Sequence, residues 1–296
     1  MFSRSIAIGL VLLASSAAYA GPTSIDLSRY RLTGTFSLPP VDASESSAIT
    51  YNWNSGNLFV LGDEGEAIVE VTRTGTAVSK MTLTGFQDTE GLTYMGGGQF
   101  VLAEERLQDL FVLTYSAGGA VARSSLQSIS LGPTVGNIGI EGVSFDPRTG
   151  KFVFVKEKTP QAVGEATADF GAGSALLATL IGDNALGVDD LSDVQVLAAV
   201  PSLLGTADED NLLIYSQESR RLLEVARDGA ILSEFDFGGI STSAEGVTID
   251  ENGVIYITDE GPRVYVLTPI PEPAFAWLAG PGFVALALRR RKAPHA

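Results

Sequence analysis

The stretch at residues 88–106, DTEGLTYMGGGQFVLAEER, decides the fold because its pattern returns along the chain. It holds a short apolar run, a Gly-rich turn, and a second apolar run that closes with Glu. Related copies begin at Ser47, Glu141, Ser192 and Glu245, so successive copies start 43, 51, 51 and 53 residues apart. Repeats of this length that contain strands and turns are typical of propeller blades. The sequence therefore predicts an all-β repeat protein.

The number of blades follows from the copies. Each copy continues into a third strand and, after a further Gly turn, a fourth, which predicts five four-stranded blades. The last copy has no room for its fourth strand, whereas residues 30–38, YRLTGTFSL, precede the first copy and have no partner there. We expect this N-terminal strand to complete the last blade and close the ring, which removes an open edge. We expect the long, Ala- and Gly-rich residues 159–190 to form an elaborated loop and the outer hairpin of the third blade. A sixth blade is the alternative if they conceal one.

The N-terminus has the features of a secretory signal peptide over residues 1–20. Arg4 is followed by an apolar run at residues 6–13 and by Ala18-Tyr19-Ala20, an A-x-A cleavage site. The apolar run is too short to span a membrane. We therefore expect export, a mature chain that starts at Gly21, and a propeller domain over residues 21–269. The chain has no cysteine, so its stability must come from core burial or bound ions.

The C-terminal segment, residues 270–296, has a different composition. Pro271, Glu272 and Pro273 are followed by an apolar run at residues 274–288 and by a basic end, Arg289-Arg290-Arg291-Lys292. This order resembles the PEP-CTERM sorting signal. The resemblance implies exosortase-type sorting machinery as a partner, transient membrane insertion through this segment, and a place in the cell envelope, at the outer surface or in the extracellular matrix of a Gram-negative bacterium. A retained tail anchor is the alternative.

The charge of the propeller body limits its partners. Of 19 Lys and Arg and 35 Asp and Glu, setting aside Arg4 and the five charged residues of the C-terminal segment leaves 14 and 34, a net charge of −20. Such a body repels nucleic acid and attracts divalent cations or basic partners. We expect no nucleic-acid partner and a monomer.

The body also resembles a known family. The motifs that carry the resemblance are GFQDTEG from Gly85, EER from Glu104, IEGV from Ile140, KEK from Lys156 and AEGV from Ala244. Over residues 32–267 they resemble the SdiA-regulated family of secreted β-propellers, which implies the propeller and export more than any activity. The fourth copy departs from the pattern, because Asp193 replaces the expected Gly and residues 195–210 stretch its hairpin.

Two sets of repeated side chains are candidates for a functional site. The start of the first strand carries Ser47, Glu90, Glu141, Ser192 and Glu245, and the end of the second carries Glu64, Glu105, Glu157, Glu218 and Glu260. Because the two strands are antiparallel partners, both sets should gather at one mouth of the central channel. Carboxylates without His or Cys favour Ca²⁺. We predict a metal site that uses Glu90, Glu141, Glu245, Glu105, Glu157 and Glu260. The alternative is that these carboxylates lock neighbouring blades through backbone N–H groups, with no ion.

Function is less strongly indicated than fold. His295 is the one histidine and lies in the segment expected to be removed, so His-based catalysis is excluded. No nucleophile-elbow, P-loop or dinucleotide motif is present. We expect a calcium-binding interaction or matrix module whose partner is exopolysaccharide or another envelope protein. The alternative is a calcium-dependent hydrolase of phosphoesters or lactones that uses the glutamates of the mouth.

Overall fold

The computed structural model describes residues 21–64 and 66–270. The predicted signal peptide and the motif Pro271-Glu272-Pro273 lie outside these residues. The described helices are single 3₁₀ turns at Leu27–Arg29, Arg123–Ser125, Leu197–Ala199 and Pro201–Leu203. Among the described residues, no helix has the length and apolar character needed to cross a membrane.

The strands form five antiparallel blades around a central channel. β1 (Tyr30–Ser37) belongs to the sheet that closes the ring. Blade one contains β2 (Ser46–Asn52), β3 (Asn57–Gly62), β4 (Ala67–Val71) and β5 (Ala77–Thr84). A short strand from the next repeat, β9 (Ala120–Ala122), pairs in parallel with β5 and covers its edge. Blade two contains β6 (Thr89–Gly96), β7 (Gln99–Glu104), β8 (Asp109–Thr114) and β10 (Gln127–Ser130).

The remaining repeats complete the ring. Blade three contains β11 (Ile140–Asp146), β12 (Lys151–Lys156), β13 (Ala162–Asp169) and β14 (Ser174–Ile181). Blade four contains β15 (Asp193–Val196), β16 (Leu212–Ser216), β17 (Arg221–Val225) and β18 (Ile231–Asp236). Blade five contains β19 (Ala244–Ile249), β20 (Ile255–Asp259) and β21 (Arg263–Pro269). Residues 159–190 thus supply the outer hairpin of blade three, and the alternative of a sixth blade is wrong.

The N-terminal strand closes the ring as the sequence predicts. β1 pairs antiparallel with β21, from Tyr30 opposite Pro269 to Ser37 opposite Arg263. The Tyr30 hydroxyl also donates to the backbone carbonyl of Gly253, at 2.9 Å. Blade five therefore combines one strand from the start of the domain with three from its end.

Each gap between neighbouring blades holds its own apolar core. In β3, Leu58 and Val60 pack toward blade five, whereas Phe59 and Leu61 pack toward blade two. The inner strands are therefore buried on both faces, which explains why they read as unbroken apolar runs. Five such cores, one at each junction, fix the relative positions of the blades.

A repeated hydrogen bond also joins the inner strands of neighbouring blades. The hydroxyls of Thr50, Thr93, Ser144 and Thr248 each accept the backbone N–H of a residue in the next blade, at 2.9 to 3.2 Å. In blade four the same position is Gln195, whose amide bonds to Ser144 and Thr248. These side chains, with larger ones farther along the strands such as Trp53 and Tyr94, leave a cavity of only about 10 Å³. Side chains thus nearly fill the space between the inner strands at this level.

Candidate functional site

β-Bulges direct the mouth residues into the channel. In the first strand of blades one, two and three, the pairing register shifts on either side of one residue, which is Ser47, Glu90 or Glu141. In blade five the register shifts between Ala244 and Val247, around Glu245. A bulge leaves one residue unpaired and turns its side chain away from the regular alternation. The repeat therefore places a polar side chain at the start of each of these strands.

Close packing explains why a glycine follows each of these glutamates. A Cβ atom on Gly91 would lie 2.9 Å from the Cβ of Ala103 and 3.2 Å from the backbone nitrogen of Val143 in blade three, and one on Gly246 would lie 2.6 Å from the Ser47 carbonyl oxygen in blade one. The inner strands come too close at these points for any side chain. The Glu-Gly pair thus combines an inward carboxylate with a close contact between backbones.

Three carboxylates meet where blades two and three join. Oxygen atoms of Glu105, Glu141 and Glu157 all lie within 4.8 Å of one another. Glu105 is buried and accepts the backbone N–H of Gly139 at 2.9 Å, which fixes one of its oxygens. Oε1 of Glu157 forms an ion pair with the Lys158 ammonium group at 2.8 Å. The other oxygen, Oε2, is buried and accepts no hydrogen bond from a described residue. This trio is a site that could hold a hard cation.

The other predicted carboxylates continue around the mouth. Glu90 lies beside the trio and interacts electrostatically with Glu105 and Glu141. The Ser47 hydroxyl faces both Glu90 and Glu245, and Glu245 also contacts Glu260. The amide of Gln217 donates to Glu245 at 2.7 Å. The six glutamates of the predicted metal site are therefore gathered at one mouth.

Burial and mutual repulsion raise the pKa values of this cluster. Burial, followed by the charges of Asp63 and Glu105, raises the pKa of Glu90 to about 8. Burial and a hydrogen bond with Asp88 raise the pKa of Glu105 to about 7. Burial and the charge of Glu90 raise the pKa of Glu245 to about 9 and that of Glu141 well above its ordinary value. Without a cation, the mouth therefore holds protons at neutral pH.

Two of the repeated glutamates lie outside this cluster. Glu64 is exposed and lies near Glu45 and Asp63. Glu218 is exposed and pairs with Lys158 at 2.6 Å, so one lysine bridges the mouth and the rim of blade four. These two stand two residues past the end of the second strand, whereas Glu105, Glu157 and Glu260 stand one residue past it, so the repeated glutamates do not occupy equivalent positions.

Blade four differs because an aspartate stands in place of the repeat glycine. Asp193 is buried, and its carboxylate accepts the backbone N–H groups of Val194 and Val247, both at 2.7 Å. Burial raises the pKa of Asp193 well above its ordinary value, against these two hydrogen bonds. The carboxylate therefore ties blade four to blade five. Three positions after the mouth residues, the repeat also carries the hydroxyls of Thr50, Thr93, Ser144 and Thr248, which join the inner strands of neighbouring blades. Their fixed spacing from the mouth residues is the sequence signal that could have identified them.

The fold and the site together define a five-bladed β-propeller with one mouth lined by carboxyl groups. The sequence matches the SdiA-regulated family over residues 23–268, and the chain belongs to that family.

Solved structures with a similar fold include glutaminyl cyclase from Myxococcus xanthus. It matches with a TM-score of 0.55 and 12% identity over 81% of this chain and 95% of that chain. The WD40 β-propeller domain of Doa1 matches with a TM-score of 0.51 and 10% identity over 81% of this chain and 96% of that chain. At such low identity these likenesses show the propeller fold alone.

Proposed function

We propose that the protein is a calcium-binding interaction module whose cation site is the trio Glu105, Glu141 and Glu157. The observation that carries the proposal is the meeting of three carboxylates within 4.8 Å, together with a buried Glu157 oxygen that has no hydrogen-bond donor. Hard oxygen ligands of this kind suit Ca²⁺. A divalent cation would offset the repulsion among the carboxylates that otherwise keeps the cluster partly protonated.

Each residue of the mouth has a role in this proposal. Glu105, Glu141 and Glu157 would hold the ion. Glu90, Glu245 and Glu260 continue the negative surface toward blade five and would attract cations to it. Lys158 occupies one oxygen of Glu157 and leaves the other available.

Thermal unfolding with and without a chelator tests the cation site. At a calcium concentration about 100 times the dissociation constant, binding adds roughly 2.7 kcal/mol to the free energy of unfolding. Chelation should therefore lower the unfolding midpoint by several degrees, and Glu141→Gln should weaken this calcium dependence. Glu234→Gln, on the exposed strand β18, serves as the control. If calcium has no effect and Glu141→Gln stabilises the protein, the carboxylates are a repulsive structural feature and the metal proposal fails.

Export and sorting form the second part of the proposal. The signal-peptide pattern and the Pro271-Glu272-Pro273 motif support secretion, recognition by exosortase-type machinery and attachment at the envelope of a Gram-negative bacterium. Exopolysaccharide or another envelope protein would then be the partner of the rigid propeller surface. Peptide mapping of exported protein should recover a chain that begins at Gly21. Recovery of intact residues 1–20 would contradict the proposed cleavage.

A calcium-dependent hydrolase is the second candidate. The observation in its favour is that the mouth holds three glutamates beyond the trio, Glu90, Glu245 and Glu260, which a purely structural ion does not require. Such carboxyl groups beside an ion could transfer protons to and from a bound ester. Assays of phosphoester and lactone turnover, with and without chelator, decide between the two candidates. Chelator-sensitive turnover that Glu90→Gln abolishes would favour the enzyme.

A further inference from the structure

A second polar site lies beside the mouth, on the outer side of blade five. A cleft of about 370 Å³ is lined by the loop at residues 238–243, by Asp259 at the end of β20, and by Arg263 and Tyr265 on β21. Ser243 and Asp259 stand next in sequence to Ala244-Glu245 and Glu260, so the cleft and the mouth share one face of the propeller. Its volume is within the range of small-molecule sites. The cleft is shallow and open to solvent, and more of its lining is polar than apolar.

A hydrogen-bonded chain links the exposed Arg263 to the floor of the cleft. Arg263 donates to the Tyr265 hydroxyl at 3.3 Å and lies 6.0 Å from the centre of that ring. Tyr265 donates to Asp259 at 3.4 Å, and Asp259 also accepts the Ser241 hydroxyl and the backbone N–H of Gly261. Asp259 and Tyr265 are both buried. The Asp259 carboxylate is therefore already satisfied by neutral donors.

The Arg263 guanidinium has N–H donors that no described residue accepts. At least nine other described Lys and Arg side chains form ion pairs within 4.0 Å. No described carboxylate oxygen lies that close to the Arg263 guanidinium, which interacts with the charge of Asp259 at longer range. Across the cleft, the exposed Thr242 and the half-buried Ser243 have hydroxyls that make no hydrogen bond to another described residue. A guanidinium has five N–H donors and no acceptor, so its partner must supply oxygen atoms in a plane.

We propose that this cleft binds a hydroxylated carboxylic acid of monosaccharide size, such as a sugar acid. The carboxylate would pair with Arg263, and the hydroxyls of the ligand would bond to Thr242, Ser243 and the backbone of the loop. A doubly charged phosphate suits the cleft less well, because the Asp259 carboxylate already places negative charge in the lining. This site is separate from the proposed calcium site and does not require the ion.

Titration calorimetry in EDTA with three ligands that share one ring tests the proposal. Glucuronate should bind, glucose should bind at least about tenfold more weakly, and glucose 6-phosphate should also bind more weakly than glucuronate. Arg263→Gln should weaken glucuronate binding by about tenfold or more. Thr242→Val should weaken it by a smaller factor. Arg31→Gln removes the same charge from exposed strand β1, away from the cleft, and is the matched control.

Any one of the following results would overturn the proposal. Absence of glucuronate binding to the unmodified protein rejects the site. Equal losses of glucuronate affinity in Arg263→Gln and Arg31→Gln would show that binding depends on net charge alone. Glucose binding as tightly as glucuronate rejects the role of the carboxylate, and tighter binding of glucose 6-phosphate assigns the cleft to phosphate instead. Because every titration contains EDTA, failure here leaves the calcium proposal untouched, and failure of the calcium proposal leaves this one untouched.

Discussion

Thr248 shows how a single side chain joins the last blade to the first. Its hydroxyl accepts the backbone N–H of Tyr51 at 3.0 Å and donates to the Gln195 side chain at 2.9 Å, and all three residues are buried. Thr248→Val keeps the shape but leaves a buried N–H and a buried carbonyl oxygen without partners. We expect it to lower the free energy of unfolding by about 1–3 kcal/mol, measured by chemical denaturation.

Thr248→Ser is the matched control because it keeps the hydroxyl, as Ser144 does at the same position of blade three. It should remain within about 1 kcal/mol of the unmodified protein. If the Val and Ser variants lose equal stability, the Thr248 methyl group and not its hydrogen bonds holds the two blades together.

The mouth residues also show what one sequence can reveal at this scale. Glu90, Glu141 and Glu245 could be placed at one mouth because their repeat is visible and because hairpin geometry sets strand starts beside strand ends. The conversion of Glu-Gly into a bulge could not be predicted, since it depends on how closely the next blade approaches Gly91 and Gly246. Asp193 could be recognised as an exception, but its bond to Val247 required the position of blade five.

Among the strands, β1 contributes most to closure of the ring. It supplies the outer edge of blade five, and the flanking Leu38 is buried in the core between blades one and five. Deleting residues 30–38 removes one strand and exposes the edge of β21. We expect the truncated protein to lose its cooperative unfolding transition in circular dichroism and calorimetry. An unchanged thermal midpoint would contradict a closure that depends on this strand.

Other elements were harder to anticipate than β1. The sequence indicated a hairpin within residues 159–190, and β13 and β14 confirm it, because apolar runs around a Gly turn are a local signal. The parallel pairing of β9 with β5 had no such signal, since it joins segments about forty residues apart and involves three residues of each strand. Pairings between distant segments depend on the assembled ring, which local patterns do not specify.

For the molecule as a whole, the carboxyl cluster predicts an unusual dependence of stability on pH. The ordinary pKa of Glu is 4.5, whereas in the folded protein it is about 7 for Glu105, 8 for Glu90 and 9 for Glu245. Between these values the folded state binds more protons than the unfolded state, so stability falls as pH rises. In EDTA, the thermal midpoint should therefore decrease between about pH 5 and pH 9.

Glu90→Gln should flatten this decline, whereas the exposed Glu234→Gln should leave its slope unchanged. A midpoint that stays constant or increases over the same range would show that the carboxyl groups of the mouth are ionised in the folded protein. Addition of calcium should reduce the decline, because a bound cation replaces the protons.

The closure of the ring also determines how the molecule responds to a pulling force. Tyr30 lies opposite Pro269, and the backbone N–H of Ile270 donates to the Arg29 carbonyl at 2.7 Å, so the start of β1 and the end of β21 lie side by side. A force that separates these two points breaks the hydrogen bonds between β1 and β21 one after another. A force between one of these points and a distant blade would instead load many of the hydrogen bonds at the same time. The protein should therefore be mechanically weak when it is pulled between the start of β1 and the end of β21, and resistant when it is pulled between one of these points and a distant blade.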